Sequence, residues 1–223
     1  MFKSLISASV FFVLTIILTT PVAASELYRV TLLRASPGNF MQMIEDVKAE
    51  RKVKKGNLSI MRHSQGDHWD LMLLQPAGDN PIDAKDFSHL ADFQQSFLAK
   101  SETKWSTIKA KSESSGTYHI EMFHAIHGKA AALLKERVME NEYLAATQQT
   151  TNVIFETVFG SDVDSFTIGY HKSLETFATT PDLPSETFEQ AAKNAGFKNR
   201  ADLSFYLRSL ILSHHDTLAS KVD

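Results

Sequence analysis

A few residues in this 223-residue chain have the types and spacing for proton transfer. The stretch Tyr118-His-Ile-Glu-Met-Phe-His-Ala-Ile-His-Gly128 reads as a strand, so His119 and Glu121, two apart, point the same way. A second strand, Phe166-Thr-Ile-Gly-Tyr-His171, sends Thr167, Gly169 and His171 to one side. A third, starting at Asn152, sends Ile154 and Glu156 together. Imidazole titrates near neutral pH, and a carboxylate beside it can orient and charge it. His119 and Glu121 are therefore the candidate catalytic pair. Glu156, Thr167 and His171, with Arg29 and Asp70 from an earlier stretch, are candidate substrate-binding groups. No metal is required, but His119, Glu121, His171 and His214 are the alternative ligands for a divalent ion. The same side chains could equally form a wet face joined by ion pairs.

Other polar clusters read more plainly. Leu203, Leu207, Leu210, Ile211, His214 and Leu218 make an apolar stripe at helical spacing, which predicts a last helix capped by Asn199. On that helix His214 faces the core, His215 faces solvent, and Asp216 is on the wrong side of His214 to orient it. His124 and His127 mark a strand-to-helix turn or a rim, and Glu136, Arg137, Glu140 and Asn141 read as a solvated helix face. Phosphate loops, nucleophile elbows and His-Glu-x-x-His are absent from the sequence.

The elements that must position these groups follow from pattern. Hydrophobic residues make up 43% and charged residues 22%, which suits a folded core. The net charge of −3 gives no basis for a nucleic-acid partner. Lys3, the apolar run from Leu5 to Leu18 and Val22-Ala23-Ala24 read as a signal peptide cut before Ser25. The run is shorter than the roughly 20 residues of a spanning helix, so stable membrane insertion after cleavage is not expected. With no cysteine, the chain must hold by burial alone; a bacterial periplasm is the expected location. Leu27 to Ala35 is a strand with apolar residues on both faces, and Phe40, Met43, Ile44 and Val47 share one helix face. Leu58 to His63 and Trp69 to Leu74 form a hairpin through Gly66-Asp67. The spacing of Phe87, Leu90, Phe93 and Phe97 predicts a helix over 84–98, followed by a polar linker to Gly116. Pro184 starts a helix that stops at Asn194-Ala-Gly196.

The order strand-helix-strand-strand occurs twice. Tyr28, Ala35 and Gly38 match Tyr118, Ala125 and Gly128, and Trp69 matches Phe166. This pattern resembles the dimeric α/β-barrel superfamily of ferredoxin-like domains. Its members include cofactor-free antibiotic-type monooxygenases, EthD-like and NIPSNAP-like proteins, and the haem-binding chlorite-dismutase-like group. The resemblance implies an α+β fold of two tandem ferredoxin-like repeats, residues 25–112 and 113–223 after a signal at 1–24. Their sheets would face each other as a barrel within one chain, with a C-terminal helix pair added. A fourth strand is not evident in either repeat; Lys104 to Lys111 is the candidate in the first. On this fold the helix-covered face should be the apolar one: Tyr118, Ile120, Met122, Val153, Phe155, Phe159, Phe166, Ile168 and Tyr170. The barrel would receive His119, Glu121, Phe123, Glu156, Thr167, Gly169 and His171, and from the first repeat Arg29, Thr31, Ser59, Met61, Asp70 and Met72. The implied function is binding or turnover of a small organic molecule, monooxygenase-like or related, with no tightly held organic cofactor. The alternatives are a haem- or metal-binding barrel, and an interaction module with a filled barrel. Exposed sheet edges would allow a homodimer.

Overall fold

The computed structural model describes residues 25–78 and 85–222, so the expected signal segment lies outside the described residues. The first half runs β1 (Glu26–Ala35), α1 (Phe40–Val53), β2 (Ser59–Gln65), β3 (Leu71–Pro76), β4 (Ala91–Ser101) and α2 (Trp105–Ser114). The second runs β5 (Thr117–Ala125), α3 (Ala130–Ala146), β6 (Asn152–Phe159), β7 (Ser165–His171), α4 (Leu174–Ala178), α5 (Ser185–Asn194), α6 (Asp202–Arg208) and β8 (Ile211–Lys221). The eight strands close a barrel in the order β1-β3-β2-β8-β5-β7-β6-β4, every neighbour antiparallel. Each half contributes the same ferredoxin-like order, β4-β1-β3-β2 and β8-β5-β7-β6. β2 with β8 and β4 with β6 form the two seams. Every strand is paired on both sides, which removes the free edges expected to support a dimer.

The two fourth strands lie where helices were expected. Residues 91–101 form β4 rather than the end of a helix over 84–98, and Lys104 to Lys111 falls in α2 rather than in a strand. The last helix stops at Arg208, and Ile211 onward is β8. In both cases an apolar spacing of three and four misled, because long-range pairing decides. β4 completes ladders with β1 and β6, and β8 fills the gap between β2 and β5. The expected C-terminal helix pair survives as α5 and a short α6.

The two sheet faces are the reverse of the expectation for the second half. Tyr118, Ile120, Met122, Phe155, Phe166 and Ile168 join Tyr28, Val30, Leu32, Phe97 and Ala219 in one buried cluster drawn from all eight strands, which is the barrel interior. An eight-stranded barrel is filled mainly by its own inward side chains, with Ile108 and Trp105 of α2 closing one end, so the larger apolar face must turn inward. Phe155 and Phe166 stack at 4.5 Å, with the edge of Phe97 5.9 Å from Phe166. Met61 and Met72 do face inward, as expected. Phe159, expected in the same core, is 69% exposed. The outer face of the first half is apolar as well: Leu33, Leu58, Ile60, Leu71 and Leu73 pack beneath Met43 and Val47 of α1. The second half keeps polar groups beneath its helix.

Register also re-sets the match between halves. The β1–β4 ladder shifts register at Arg34/Ala35, where Asp92 of β4 is the extra residue, and the β5–β8 ladder shifts at His124/Ala125, where Leu212 of β8 is. Asp70 accepts from the Ala35 backbone N–H and Asp164 from that of Ala125, each at 2.7 Å. Asp70 thus corresponds to Asp164, and Met72, not Trp69, to Phe166.

Candidate functional site

The site is built on the outer face of β5, β7 and β8. His119 pairs across the ladder with Gly169, and Glu121 sits between Thr167 on β7 and Asp216 on β8. Strand alternation puts all of these, with His171, on the helix side. α3 covers this face, and its Glu136, Arg137 and Glu140 point down to it. α4, capped where the Ser173 hydroxyl accepts from the Thr176 N–H, brings Phe177 over the strand ends. Its ring lies 5.0 Å from that of His119 and 5.2 Å from that of His171. Between sheet, α3 and α4 opens a pocket of about 570 Å³ lined by His119, Glu121, Glu140, Asn152, His171 and Phe177, among others.

Arg137 organises the inner wall. Its side chain is 1% exposed, and it reaches Glu136 at 2.6 Å, Glu140 at 2.9 Å and Glu121 at 3.6 Å. Its guanidinium also lies 4.9 Å over the Phe123 ring. The Thr167 hydroxyl donates to Glu121 at 3.0 Å. Burial pushes Glu136 above the ordinary carboxylate value, although Arg137 pulls it down. Glu140 is pushed up to about 7, first by burial, then by Glu121 and Glu136, against the pull of Arg137.

The two imidazoles move apart. Burial opposes the charge on His119, but Asp216 at 3.7 Å, Glu121 and Glu140 together hold its pKa above the ordinary value. Burial lowers His171, and the charge on His119 lowers it further. Asp216 is held low by His119 first and then by His214, whose Nε2 lies 3.1 Å from its other oxygen. On a strand, His214 and Asp216 share a face, which corrects the helical expectation that put them on different sides. One donor atom each from His119, Glu121 and Asp216 lie within 4.8 Å of one another, a set that could hold a divalent cation.

His119, Glu121, Thr167 and His171 are therefore brought together, though outside the barrel rather than in it. The other candidates stand apart. Glu156 pairs with Lys100 at 3.0 Å, Arg29 is buried on the first half's outer face, and the Asp70 carboxylate holds the Ala35 N–H at the end of β1. Sequence reasoning missed Glu140, Arg137, Asp216, Asn152 and Phe177. Glu136, Arg137 and Glu140 read as a solvated patch, yet Glu136 and Arg137 are buried against the sheet. The Glu-Arg-x-x-Glu spacing of an ion-paired helix face was the available signal.

No protein-family model matches the sequence, and no curated protein matches it. Solved structures do. An anthrone oxidase-like protein superposes with a TM-score of 0.53 at 11% identity, over 89% of this chain and 92% of that one. A proposed chlorite dismutase gives 0.53 at 13%, over 90% and 96%. A proposed monooxygenase from Lactobacillus acidophilus NCFM gives 0.51 at 7%, over 89% and 94%. The fold is the dimeric α/β barrel. At such identities the likeness concerns the fold alone. Here the barrel closes within one chain, its interior is packed, and the pocket lies between sheet and helices of the second half. Among the described residues, no helix is long and apolar enough to cross a membrane.

Proposed function

We propose that this dimeric α/β-barrel protein binds and turns over a small organic molecule in the pocket beneath α3 and α4, by general acid–base chemistry. One observation carries the reading. Two imidazoles flank one aromatic ring at a pocket of about 570 Å³, in surroundings that favour charge on one and neutrality on the other. Neutral His171 takes a proton from the substrate, and protonated His119, oriented by Asp216 and Glu121, returns one. In a monooxygenase-like reaction the first of these steps prepares the substrate for oxidation. An interaction module would need no cavity beside His119 and Glu121, so the pocket supports the ligand reading over it. The test is native mass spectrometry of protein purified from its own source, followed by the double variant His119→Ala, Glu121→Ala. Loss of the co-purifying molecule or its turnover is expected; binding and turnover untouched by both substitutions would sink the assignment.

The second reading is a haem or metal protein. For a divalent ion, His119, Glu121 and Asp216 would be the ligands, and it would act as a Lewis acid in the pocket. For a haem, either pocket imidazole could ligate the iron. Its propionates would, however, meet Glu121, Glu140 and Glu175, with no Lys or Arg among the lining residues. The donor set therefore fits a small cation better than a haem. An absorption spectrum and a metal analysis of the same preparation separate the readings: a Soret band or stoichiometric metal favours the second. We further propose export to a periplasm through the segment 1–24, and an origin of the two halves by duplication. The shared strand order and the matching bonds of Asp70 to Ala35 and Asp164 to Ala125, each beside a register shift, support the latter.

A further inference from the structure

The charge around the pocket does not balance. Arg137 is the one guanidinium against Glu136, Glu140 and Glu121, and it lies behind the wall rather than in the lining. Asp216 is matched separately by His119 and His214. Glu175 on α4 places another carboxylate at the rim, and the lining contains no Lys or Arg. Between these acids, Leu144, Phe177 and Pro181 offer apolar contact.

We propose, building on the ligand-binding reading above, that the pocket takes an organic cation: a protonated amine carried on a small apolar frame. The ammonium sits beside Glu121 and Glu140 and supplies a positive charge beyond those of Arg137 and His119, while the frame lies against Phe177 and Leu144. A carboxylate ligand would meet the same acids, and a neutral one would leave Glu140 holding its proton. The groups acting on Glu140 are Arg137 and Glu136 on its own helix and Glu121 and His119 on β5, and the same lining holds His171 of β7 and Glu175 of α4. Glu140 holds a proton until about pH 7, chiefly through burial, so an arriving ammonium displaces that proton. Affinity for the cation therefore rises as pH passes upward through neutrality, until the amine itself deprotonates.

The experiment uses the full mature protein in chelator, so that no metal contributes, and three matched probes: benzylamine, benzyl alcohol and benzoate. Binding is followed by NMR shifts of the His119 and His171 rings and by calorimetry in buffers of different ionisation heat. Benzylamine is expected to bind about tenfold or more tighter than the alcohol, with proton release near neutral pH, and benzoate weakest of all. Glu140→Gln should remove most of that preference and the proton release. Glu175→Gln, at an exposed position with little risk to folding, should lower the preference by a smaller factor. Equal binding of alcohol and amine, or tighter binding of benzoate, overturns the charge assignment while leaving the pocket as a ligand site. Shifts at neither histidine with any probe overturn both.

Discussion

Gly169 has neither a left-handed backbone nor a bulge to account for it: the β5–β7 ladder runs through it without a break. The reason for glycine is space. A Cβ there would fall 2.8 Å from Asn152 Oδ1 and 2.9 Å from His171 Nε2, so the imidazole and the amide close over the strand only because that carbon is missing. Gly169→Ala is expected to push His171 outward, raise its pKa toward the ordinary histidine value and cost about 1–3 kcal/mol. An NMR titration of the ring and a denaturant melt would measure both. The proposed acid–base pair makes a second prediction. His171 must be neutral, so activity falls with acid below the ordinary histidine value of 6.5; His119 must be charged, so it falls with alkali above that value. A bell with its plateau across 6.5 should result, and His171→Gln should flatten its acid limb. Of these residues, His119, Glu121, Thr167 and His171 were legible because strand alternation alone puts them on shared faces. Which side of the sheet they face was not, since that depends on how large the barrel is and on what fills it.

Helix α3 is where a polar sequence conceals a buried element. Glu136 and Arg137 are 0% and 1% exposed, a burial made tolerable by the pairing of Arg137 with Glu136 and Glu140 on its own helix and with Glu121 of β5. Arg137→Met should cost about 3–5 kcal/mol, because three carboxylates then face one another without a cation. Glu140→Gln should act in the other direction. Its folded pKa is raised, so its stabilising contribution is present at acid pH and lost as pH rises through about 7. The amide removes that loss. The variant should match its parent at acid pH and exceed it above neutrality by on the order of 1–3 kcal/mol in urea melts. The same competition between local pattern and tertiary demand explains β4 and β8. Phe93 and Phe97, and Leu207, Ile211 and His214, recur at helical intervals, yet residues 91–101 and 211–221 are strands. No local signal records the two ladders each must complete. The hairpin of β2 and β3, α1 and α5 were legible because turn residues and periodicity agreed there.

At the scale of the molecule, the two halves share one interior. Tyr28, Phe97, Phe155 and Phe166 lie in one cluster, so neither half can bury its inner face alone. The repeat boundary drawn at residue 112 should therefore not be a boundary of stability. Calorimetry is expected to show one transition with equal calorimetric and van't Hoff enthalpies, and residues 25–112 expressed alone should show no cooperative melt. Two resolved transitions would refute this. The place of β8 has a consequence for how the protein comes into being. It is inserted between β2 and β5, both made much earlier, so the interior stays open until Lys221 has left the ribosome. Joining strands so distant along the chain is slow. Closure is thus the last event in the making of this fold: seven strands wait, their inner faces uncovered, for the eighth to be slotted between them.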